Sequence, residues 1–489
     1  MSFNPENLTI HESSRLLEEK KISSVELCGA YLERAKKLEP KVKAFLKLEE
    51  EQIISQAKAS DARRSSGSKL SPFDGIPVAV KDNITVKGQT CTCASKILQK
   101  IVSPYDATVI GKLKEKGFVL FGSTNMDEFA MGSSCENSAY QKTANPWNLG
   151  CVPGGSSGGS AASVAAGEVT AALGSDTGGS IRQPASLCGV VGFKPTYGRI
   201  SRYGLIAFAS SLDQIGPITR DVEDAAILTD VMCGIDPKDA TSLPGTNEIF
   251  AEGIGSFGDL KGVRIGLPKE FFEVEGLDSG VRKSMEKSIQ VFKDLGAEMV
   301  QVSLPHSKYA VATYYVIATA EASANLARFD GIRYGNRMKA DNLIETYLET
   351  RGAGFGDEVK RRIILGTFVL SSGYYDAYYT KGQKVRTLIR NDFQEAYRKC
   401  DVILTPVSPT TAFKFGEKSD PLQMYLADIF TISTNLAGIC GICVPADIHE
   451  NGLPVGIQLL GPDMGEKQLL RISHAFEKNR AIKEFIPKV

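Results

Sequence analysis

The sequence lacks a net charge. Its 489 residues include 57 Lys+Arg and 57 Asp+Glu, so the formal charge is zero. A neutral chain creates no long-range electrostatic field that attracts a polyphosphate. We therefore expect it not to bind nucleic acid or an anionic membrane on its own. Any RNA substrate would need a basic partner. A composition of 42% hydrophobic and 23% charged residues excludes disordered and fibrous proteins.

Long apolar runs are also absent. No stretch reaches the ~18 uninterrupted apolar residues of a membrane-spanning helix, and the polar start of the sequence lacks the apolar core of a signal peptide. We therefore expect a cytoplasmic protein.

Residues for metal and histidine chemistry are scarce. There are only four histidines, none of them in an HExxH motif or a glycine-rich segment, so a Ser-His-Asp triad has no local signature. The spacings Cys91-x-Cys93 and Cys440-x-x-Cys443 have no second pair of ligands nearby. We expect no metal site, and we expect the ten cysteines to be reduced, buried side chains.

Two glycine-rich segments do not fit nucleotide sites. GIGSFG, residues 253–258, has the spacing of a dinucleotide fingerprint but precedes a predicted strand instead of following one. The cluster at residues 154–159 has no Lys-Ser/Thr after it, so the sequence does not support a phosphate-binding P-loop.

Alternating strand and helix patterns predict an α/β fold. Ile76, Val78 and Val80 alternate as in a strand, which places Lys81 at or just past its end. KGVRIGLP, a helical pattern over 279–295 and AEMVQVSL predict a βαβ unit. Together with apolar runs near 118–121, 401–404 and 456–460, these patterns predict a large mixed sheet with helices on both faces.

We predict two parts of the chain. Residues 1–70 form an N-terminal helical segment that packs on the core, in which Ser23 and Glu26 form a capping box. Residues 71–480 form the main domain, with a divider loop near 236–261 that is rich in Gly, Pro, Asp and Ser.

Two serine-glycine clusters, at residues 154–160 and 176–180, are typical of acyl transfer chemistry. Glycines let backbone N–H groups converge, and a serine beside them can attack a carbonyl while those groups hold the oxyanion. The clusters can equally be tight turns. Lys81 is the candidate base if burial lowers its pKa, although a lysine after a strand is usually solvated.

Taken together, three segments resemble the amidase signature family: KDN at 81–83, GGSSGGS at 154–160 and DTGGSIRQPA at 176–185. The resemblance implies that family's mixed-sheet fold and a Ser–cis-Ser–Lys triad. Matched segment by segment, Ser180 is the nucleophile, Ser156 follows a cis peptide and bridges, and Lys81 is the base. Ser157 and Ser160 are then structural.

The resemblance also implies a mechanism. Neutral Lys81 takes a proton from Ser180 through the bridging serine, and the relay returns it to the leaving nitrogen. The N–H groups of Thr177, Gly178 and Gly179 hold the oxyanion. A carboxylate close to the lysine would keep it charged, so the side chain of Asp82 has to point elsewhere.

The second half resembles one subgroup of that family, the glutamine-hydrolysing subunits of tRNA-dependent amidotransferases. The matching runs lie at 314–335, 356–368 and 424–431. By position within them, Arg362 binds the substrate α-carboxylate, Asp428 binds the α-ammonium and Tyr314 orients the ligand. Arg361 remains the alternative to Arg362.

This resemblance implies a glutaminase within a heterotrimeric carbon–nitrogen ligase that converts Glu-tRNA(Gln) to Gln-tRNA(Gln). The implied partners are a B subunit, which activates Glu-tRNA(Gln) with ATP and Mg²⁺, and a small C subunit. The chain itself needs no metal or organic cofactor. Two alternatives stay open: a stand-alone amidase for small amides, and an inactive scaffold. Asp-tRNA(Asn) also stays open as a substrate.

Overall fold

The strands form one mixed sheet. In the computed structural model, which describes residues 4–244, 248–256, 258–274 and 276–489, eleven strands are joined in the order β1-β3-β2-β4-β6-β5-β10-β11-β9-β7-β8. Their bounds are β1 Phe45–Lys47, β2 Pro77–Lys81, β3 Val119–Thr124, β4 Ala171–Asp176, β5 Val191–Lys194, β6 Gln214–Thr219, β7 Arg264–Pro268, β8 Glu298–Val302, β9 Val402–Pro406, β10 Gly441–Ile448 and β11 Pro454–Leu460. Residues 1–3 of the predicted N-terminal segment, and residues 245–247 and 257 of the predicted divider, lie outside the described residues.

Helices connect and cover these strands. Their bounds are α1 Ile10–Glu18, α2 Ser24–Val42, α3 Glu50–Ser65, α4 Thr108–Glu115, α5 Gly158–Ala165, α6 Arg182–Cys188, α7 Val222–Met232, α8 Lys269–Phe272, α9 Ser279–Asp294, α10 Ala310–Leu326, α11 Leu343–Gly354, α12 Asp357–Leu370, α13 Lys381–Tyr397, α14 Pro421–Leu426, α15 Ile432–Ala437 and α16 Glu466–Asn479. One π-helical turn, Asp376–Thr380, precedes α13.

The central strands are covered on both faces. Every residue of β2 and of β4 is buried, and successive strand residues point to opposite faces, so packed groups lie on either side of the sheet. β2 runs parallel to β3 and β4, whereas β6 runs antiparallel to β4. The predicted α/β class with a large mixed sheet is confirmed.

Local sequence signals set several element ends. α2 begins at the predicted capping box, where Ser23 Oγ accepts from Glu26 N at 3.1 Å and the Glu26 carboxylate accepts from Ser23 N at 2.8 Å. The predicted βαβ unit is β7, α9 and β8, with parallel strands. Gly296, two residues past the end of α9, has φ +89°, a conformation that glycine adopts without strain.

Candidate active site

Lys81 and the second serine-glycine cluster lie at the carboxyl ends of two neighbouring parallel strands. β2 pairs with β3 on one side and with β4 on the other, and Lys81 is its last residue, as the alternation predicts. β4 ends at Ser175 and Asp176, directly before the second serine-glycine cluster. The first cluster opens α5. This topology brings segments nearly a hundred residues apart to one edge of the sheet.

Lys81 is fully buried among hydroxyl groups. Its Nζ lies 2.7 Å from Ser156 Oγ, 2.8 Å from Ser157 Oγ and 3.0 Å from Ser175 Oγ. The Ser175 carbonyl oxygen lies 3.3 Å away. Asn83 donates its Nδ2 hydrogen to Ser175 Oγ at 2.9 Å and so fixes that hydroxyl. The peptide bond between Gly155 and Ser156 is cis, as the family resemblance implies.

Burial sets the charge of this amine. Removal from water lowers the pKa of Lys81 from its ordinary value of 10.5 to about 7, against the opposing negative charges of Asp127 and Asp176. Asp82 points elsewhere, because its carboxylate accepts from Ser123 Oγ at 2.8 Å and from the N–H groups of Thr92 and Ala94. Near neutral pH a large fraction of Lys81 is therefore uncharged.

The hydrogen bonds around Lys81 single out one proton donor. Ser157 Oγ lies 3.2 Å from the Ser175 carbonyl oxygen, which can only accept, so the Ser157 proton points there. Ser175 Oγ already accepts from Asn83. Within the described part of the chain, the hydroxyl of Ser156 has Lys81 Nζ as its hydrogen-bond partner. A neutral amine can therefore donate to Ser157 and Ser175 and accept the proton of Ser156.

Ser157 is more than a structural neighbour. It contacts the lysine amine, and its backbone N–H donates to the Ser180 carbonyl oxygen at 3.2 Å, which joins the two serine clusters. Ser160 has the structural role expected, since its hydroxyl donates to the Leu173 carbonyl oxygen at 2.9 Å. No sequence pattern separates the two serines, because each contacts a residue from a different, distant segment of the chain.

Ser180 lies at the open side of the site. It is 9% exposed, whereas Lys81 and Ser156 are fully buried. Its loop is anchored by Asp176, whose carboxylate accepts from Gly179 N at 2.8 Å and Ile181 N at 3.2 Å. Burial alone would raise the pKa of Asp176, but the charge and hydrogen bonds of buried Arg182 lower it to about 2. The carboxylate is thus ionised and holds the loop.

The proposed oxyanion donors are not equivalent. The N–H of Gly179 already donates to Asp176, so it is occupied. Among the described residues, the N–H groups of Thr177, Gly178 and Ser180 have no hydrogen-bond partner and are the free donors. A Cβ at Gly178 would lie 2.8 Å from the Tyr314 ring, so only glycine lets that ring approach the loop. Of the expected donors Thr177, Gly178 and Gly179, the N–H of Gly179 is the one engaged within the described chain, while the N–H of the neighbouring Ser180 is free.

Tyr314, Arg362 and Asp428 lie beside this loop. Tyr314 is buried against Gly178. Burial raises the pKa of Tyr314 and of Asp428, and the positive charge of Arg362 opposes both rises. Arg362 is buried, with its guanidinium 5.2 Å from the Tyr315 ring centroid and its Nε donating to Glu358 at 2.8 Å. Arg361 pairs with the same glutamate but is 49% exposed on the outer side of α12.

Asp428 is a buried carboxylate with one free oxygen. Its Oδ2 accepts from the Ser133 hydroxyl, while Oδ1 has no partner within the described chain. Burial raises the pKa of Asp428 to about 7, although the hydrogen bond from Ser133 and the charge of Arg362 oppose the shift. An unpaired buried oxygen costs free energy unless a donor binds, so this position suits a cationic or N–H group of a ligand.

Three residues of the site had no sequence signal: Ser133, Asp127 and Asn435. Asp127 N donates to the Ser156 carbonyl oxygen at 3.2 Å, and its carboxylate accepts from Cys135 N at 2.9 Å. Asn435 Nδ2 donates to Asp176 at 2.8 Å from more than 250 residues away. Such long-range partners lie outside any local motif.

Among the described residues, one group of side chains has the spacing of a metal site. It comprises His11, Asp221 and Asp224, and it is separate from the serine clusters. Burial would lower the pKa of His11, but the hydrogen bond and charge of Asp224 raise it to about 9, so this histidine is protonated and forms an ion pair. None of the described helices combines the length and apolarity needed to cross a membrane.

Comparison with known proteins places these features in context. A family model described as Amidase matches residues 26–470. The chain is 57% identical to a Geobacter metallireducens protein, named as the A subunit of glutamyl-tRNA(Gln) amidotransferase, over 97% of this chain and 98% of that protein. It is 55% identical to the protein of the same name from Thermoanaerobacter pseudethanolicus, over 96% of both chains.

Solved structures show the same similarity. The crystal structure of the glutamyl-tRNA(Gln) amidotransferase A subunit from Thermotoga maritima has a TM-score of 0.83 and 47% identity, and the match covers 100% of this chain and 98% of that one. A 6-aminohexanoate cyclic dimer hydrolase has a TM-score of 0.86 at 23% identity, covering 100% and 99% of the two chains, a likeness of fold alone.

Proposed function

This chain belongs to the amidase signature family, and from that premise we propose that it is the A subunit of a glutamyl-tRNA(Gln) amidotransferase, which hydrolyses glutamine to supply ammonia. One observation carries the chemistry: a fully buried lysine amine lies 2.7 Å from Ser156 Oγ and has a pKa near 7. An amine of that pKa is a general base at the pH of the cell.

The hydrogen bond between Lys81 Nζ and Ser156 Oγ supports the inner step of the proposed proton path, and the outer step from Ser180 to Ser156 is proposed from the family resemblance. Ser180 Oγ attacks the side-chain amide carbon of glutamine as its proton passes to Ser156 and the proton of Ser156 passes to Lys81. When the tetrahedral intermediate collapses, the relay runs backwards and the nitrogen leaves as ammonia. The glutamyl ester on Ser180 is then hydrolysed by water activated through the same two groups.

The loop supplies the electrostatic stabilisation. The free N–H groups of Thr177, Gly178 and Ser180 are the donors for the oxyanion, and the loss of one such donor typically costs ~10²–10³ in rate. They need no reorganisation during the reaction, because the ionised Asp176 holds the loop through Gly179 and Ile181.

Glutamine recognition needs two opposite charges. The Arg362 guanidinium has a planar edge suited to the α-carboxylate, and the free Oδ1 of Asp428 suits the α-ammonium. Tyr314, whose ring lies against Gly178 of the nucleophile loop, helps to orient the ligand. Arg361 is a weaker candidate because its side chain lies half in solvent.

The remaining features belong to the assembly. We propose a cytoplasmic heterotrimer in which a B subunit binds Glu-tRNA(Gln) and uses ATP and Mg²⁺, and a small C subunit holds the two together. The zero net charge supports this division, because the tRNA then needs a different subunit to bind its phosphates. In this proposal, the hydrolysis of glutamine uses side chains and backbone groups of this chain and no metal or organic cofactor.

The test is ammonia release from glutamine by the chain copurified with both partner subunits. We expect the rate to rise with Glu-tRNA(Gln) and ATP and to vanish in Ser180→Ala. Ser163→Ala is the matched control and should leave the rate unchanged, since the hydroxyl of this α5 serine donates to the Ser160 carbonyl oxygen and to no other group in the described chain. Hydrolysis of simple amides in preference to glutamine would contradict the proposal.

A further inference from the structure

The guanidinium of Arg362 is hydrogen-bonded at one of its three nitrogens. Its Nε donates to Glu358 Oε1 at 2.8 Å, one turn earlier on α12. Within the described chain, neither of its two Nη groups has a hydrogen-bond partner, although the side chain as a whole is buried. The Nη edge is therefore the one available to the carboxylate of a substrate.

Glu358 accepts two hydrogen bonds on a single carboxylate oxygen. Besides Arg362 Nε, the hydroxyl of Tyr425 donates to Glu358 Oε1 at 3.0 Å. The other oxygen, Oε2, pairs with Arg361. An acidic residue in the first turn of a helix is ordinary, because it interacts favourably with the helix dipole, and the exposed Asp357 is one. Glu358 differs from Asp357, since its side chain is only 11% exposed and connects α12 to Tyr425 on α14.

Three aromatic rings contact the same guanidinium. Its carbon lies 5.6, 5.2 and 5.5 Å from the ring centroids of Phe208, Tyr315 and Tyr425. The rings of Tyr315 and Tyr425 stack on each other, with centroids 3.9 Å apart. Rings at these distances attract a cation, and their bulk limits its rotation. The hydrogen bond to Glu358 and the three rings thus fix the direction of the free Nη groups.

We propose that Glu358 and Tyr425 are positioning residues, which fix Arg362 for the α-carboxylate of glutamine and so make the site selective for amides that carry a carboxylate. The inference rests on the proposed function, because it takes glutamine as the substrate and Arg362 as the carboxylate site. Neither residue touches the reacting atoms, and each acts through Arg362. A guanidinium that is already oriented loses little conformational freedom when the substrate binds, which strengthens binding.

Tyr425 also links the two charged groups that bind the substrate. It lies on α14, three positions before Asp428, and the Asp428 N–H donates to the Tyr425 carbonyl oxygen at 3.4 Å. The α-carboxylate and α-ammonium of an amino acid are attached to one carbon, so the groups that bind them need a fixed spacing. The hydrogen bond from Tyr425 to Glu358 joins the segment that carries Asp428 to the helix that carries Arg362.

Two effects of Glu358 on substrate binding have opposite signs. As an anion beside Arg362, it competes with the substrate carboxylate, so its removal would strengthen binding. As an anchor, it holds the guanidinium in place, so its removal would weaken binding. The direction in which KM changes in Glu358→Ala therefore distinguishes a positioning residue from a simple counter-ion.

The experiment uses the chain copurified with its partner subunits and two compounds, L-glutamine and 4-aminobutanamide, which is glutamine without the α-carboxylate. In Glu358→Ala we expect KM for glutamine to rise about tenfold or more, the effect of losing a charge-assisted hydrogen bond, with kcat little changed. In Tyr425→Phe, which loses one hydroxyl and keeps the ring, we expect a rise of about 3–10-fold. The inhibition constant of 4-aminobutanamide against glutamine hydrolysis should be unchanged in both variants, because this compound carries only one of the two charges.

Two further variants separate position from charge and from general effects. Glu358→Gln keeps an oxygen that accepts from both donors, so its KM for glutamine should rise less than that of Glu358→Ala. Glu395→Gln is the matched control and should behave as wild type, since Glu395 also pairs with an arginine on its own helix, Arg398, but is 62% exposed on α13. If Glu358→Ala does not fold, as judged by its melting temperature, Tyr425→Phe decides the question.

The possible outcomes are separable. An unchanged or lower KM for glutamine in Glu358→Ala and Tyr425→Phe would overturn the positioning role while the proposed function stands. An equal loss of affinity for glutamine and for 4-aminobutanamide, or a fall in kcat alone, would indicate a general structural defect and would also overturn it. If the wild type binds 4-aminobutanamide as tightly as glutamine, the proposed glutamine site itself fails.

Discussion

Asp176 and Arg182 form a fully buried ion pair directly behind the proposed nucleophile, with Arg182 Nε 3.0 Å from Asp176 Oδ2. The same carboxylate accepts from two N–H groups of the nucleophile loop, so one charged group both balances Arg182 and fixes the position of Ser180. The role of this pair is to hold the site in its geometry, because a buried ion pair contributes little or nothing to the free energy of unfolding compared with apolar packing.

Asp176→Asn should therefore damage both stability and turnover. Removal of one partner of a buried pair typically costs about 3–5 kcal/mol, because the other charge stays buried and uncompensated. We expect a loss of that size in the free energy of unfolding by urea, and a fall in kcat larger than the change in KM. Asp401→Asn is the matched control: its pair with Arg264 has the same 3.0 Å distance but lies in partial contact with solvent, so both quantities should stay near wild type.

Because burial lowers the pKa of Lys81, we expect this lysine to reduce the free energy of unfolding of the wild type. Below about pH 7 the Lys81 amine is charged in both the folded and the unfolded chain. Between about pH 7 and 10.5 it is neutral in the folded chain but still protonated in the unfolded chain, and above 10.5 it is neutral in both. Stability of the wild type should therefore rise with pH across that window relative to Lys81→Met, by about 1.4 kcal/mol per pH unit. Urea unfolding of both proteins between pH 6 and 9 measures this, and a pH-independent difference would contradict the shift.

Substrate binding should separate the two adjacent arginines. Arg362→Lys loses a planar, charge-assisted contact with the α-carboxylate, which is worth about 1.5–3 kcal/mol, so KM for glutamine should rise about 10–100-fold with kcat little changed. Arg361→Lys should leave KM unaltered, because that side chain is half exposed. The reverse result would move the carboxylate site to Arg361.

The raised pKa of Asp428 predicts a pH dependence of glutamine affinity. The ionised carboxylate, which is the form that binds an ammonium group, is present above its pKa of about 7 and is lost as the pH falls. KM should therefore increase below pH 7. In Ser133→Ala the stabilising hydrogen bond is absent, so the increase should begin at a higher pH. KM measured at intervals from pH 6 to 8.5 decides this, and identical profiles would exclude a role for Ser133.

The sequence predicted those parts of the site that local patterns encode. The alternation of Ile76, Val78 and Val80 placed Lys81 at a strand end, and the glycine-serine spacing marked the two loops that meet there. The apolar period also predicted the βαβ unit of β7, α9 and β8. In each case the information lies within about twenty residues, where strand and helix periods apply.

The contacts that tune the site could not be predicted in this way. The Asp82 carboxylate points towards Ser123 and not towards Lys81, and Asn435 contacts Asp176. Both contacts depend on the strand order of the whole sheet. That the N–H of Gly179 is engaged while that of Ser180 is free depends on the same long-range anchoring of the loop. Arg361 and Arg362 differ only in which side of α12 they occupy, and α12 is apolar on both sides.

The central claim is that neutral Lys81 activates Ser180 through Ser156, and the rate at which a sulfonyl fluoride sulfonylates Ser180, with release of fluoride, tests it most directly. Intact-mass spectrometry gives this rate as a function of pH without partner subunits or tRNA. We predict a rate that rises with a midpoint near pH 7 in the wild type, and little or no labelling in Lys81→Ala that retains its fold by circular dichroism. An equal rate in Lys81→Ala, or a wild-type midpoint near the ordinary lysine value of 10.5, would contradict the account.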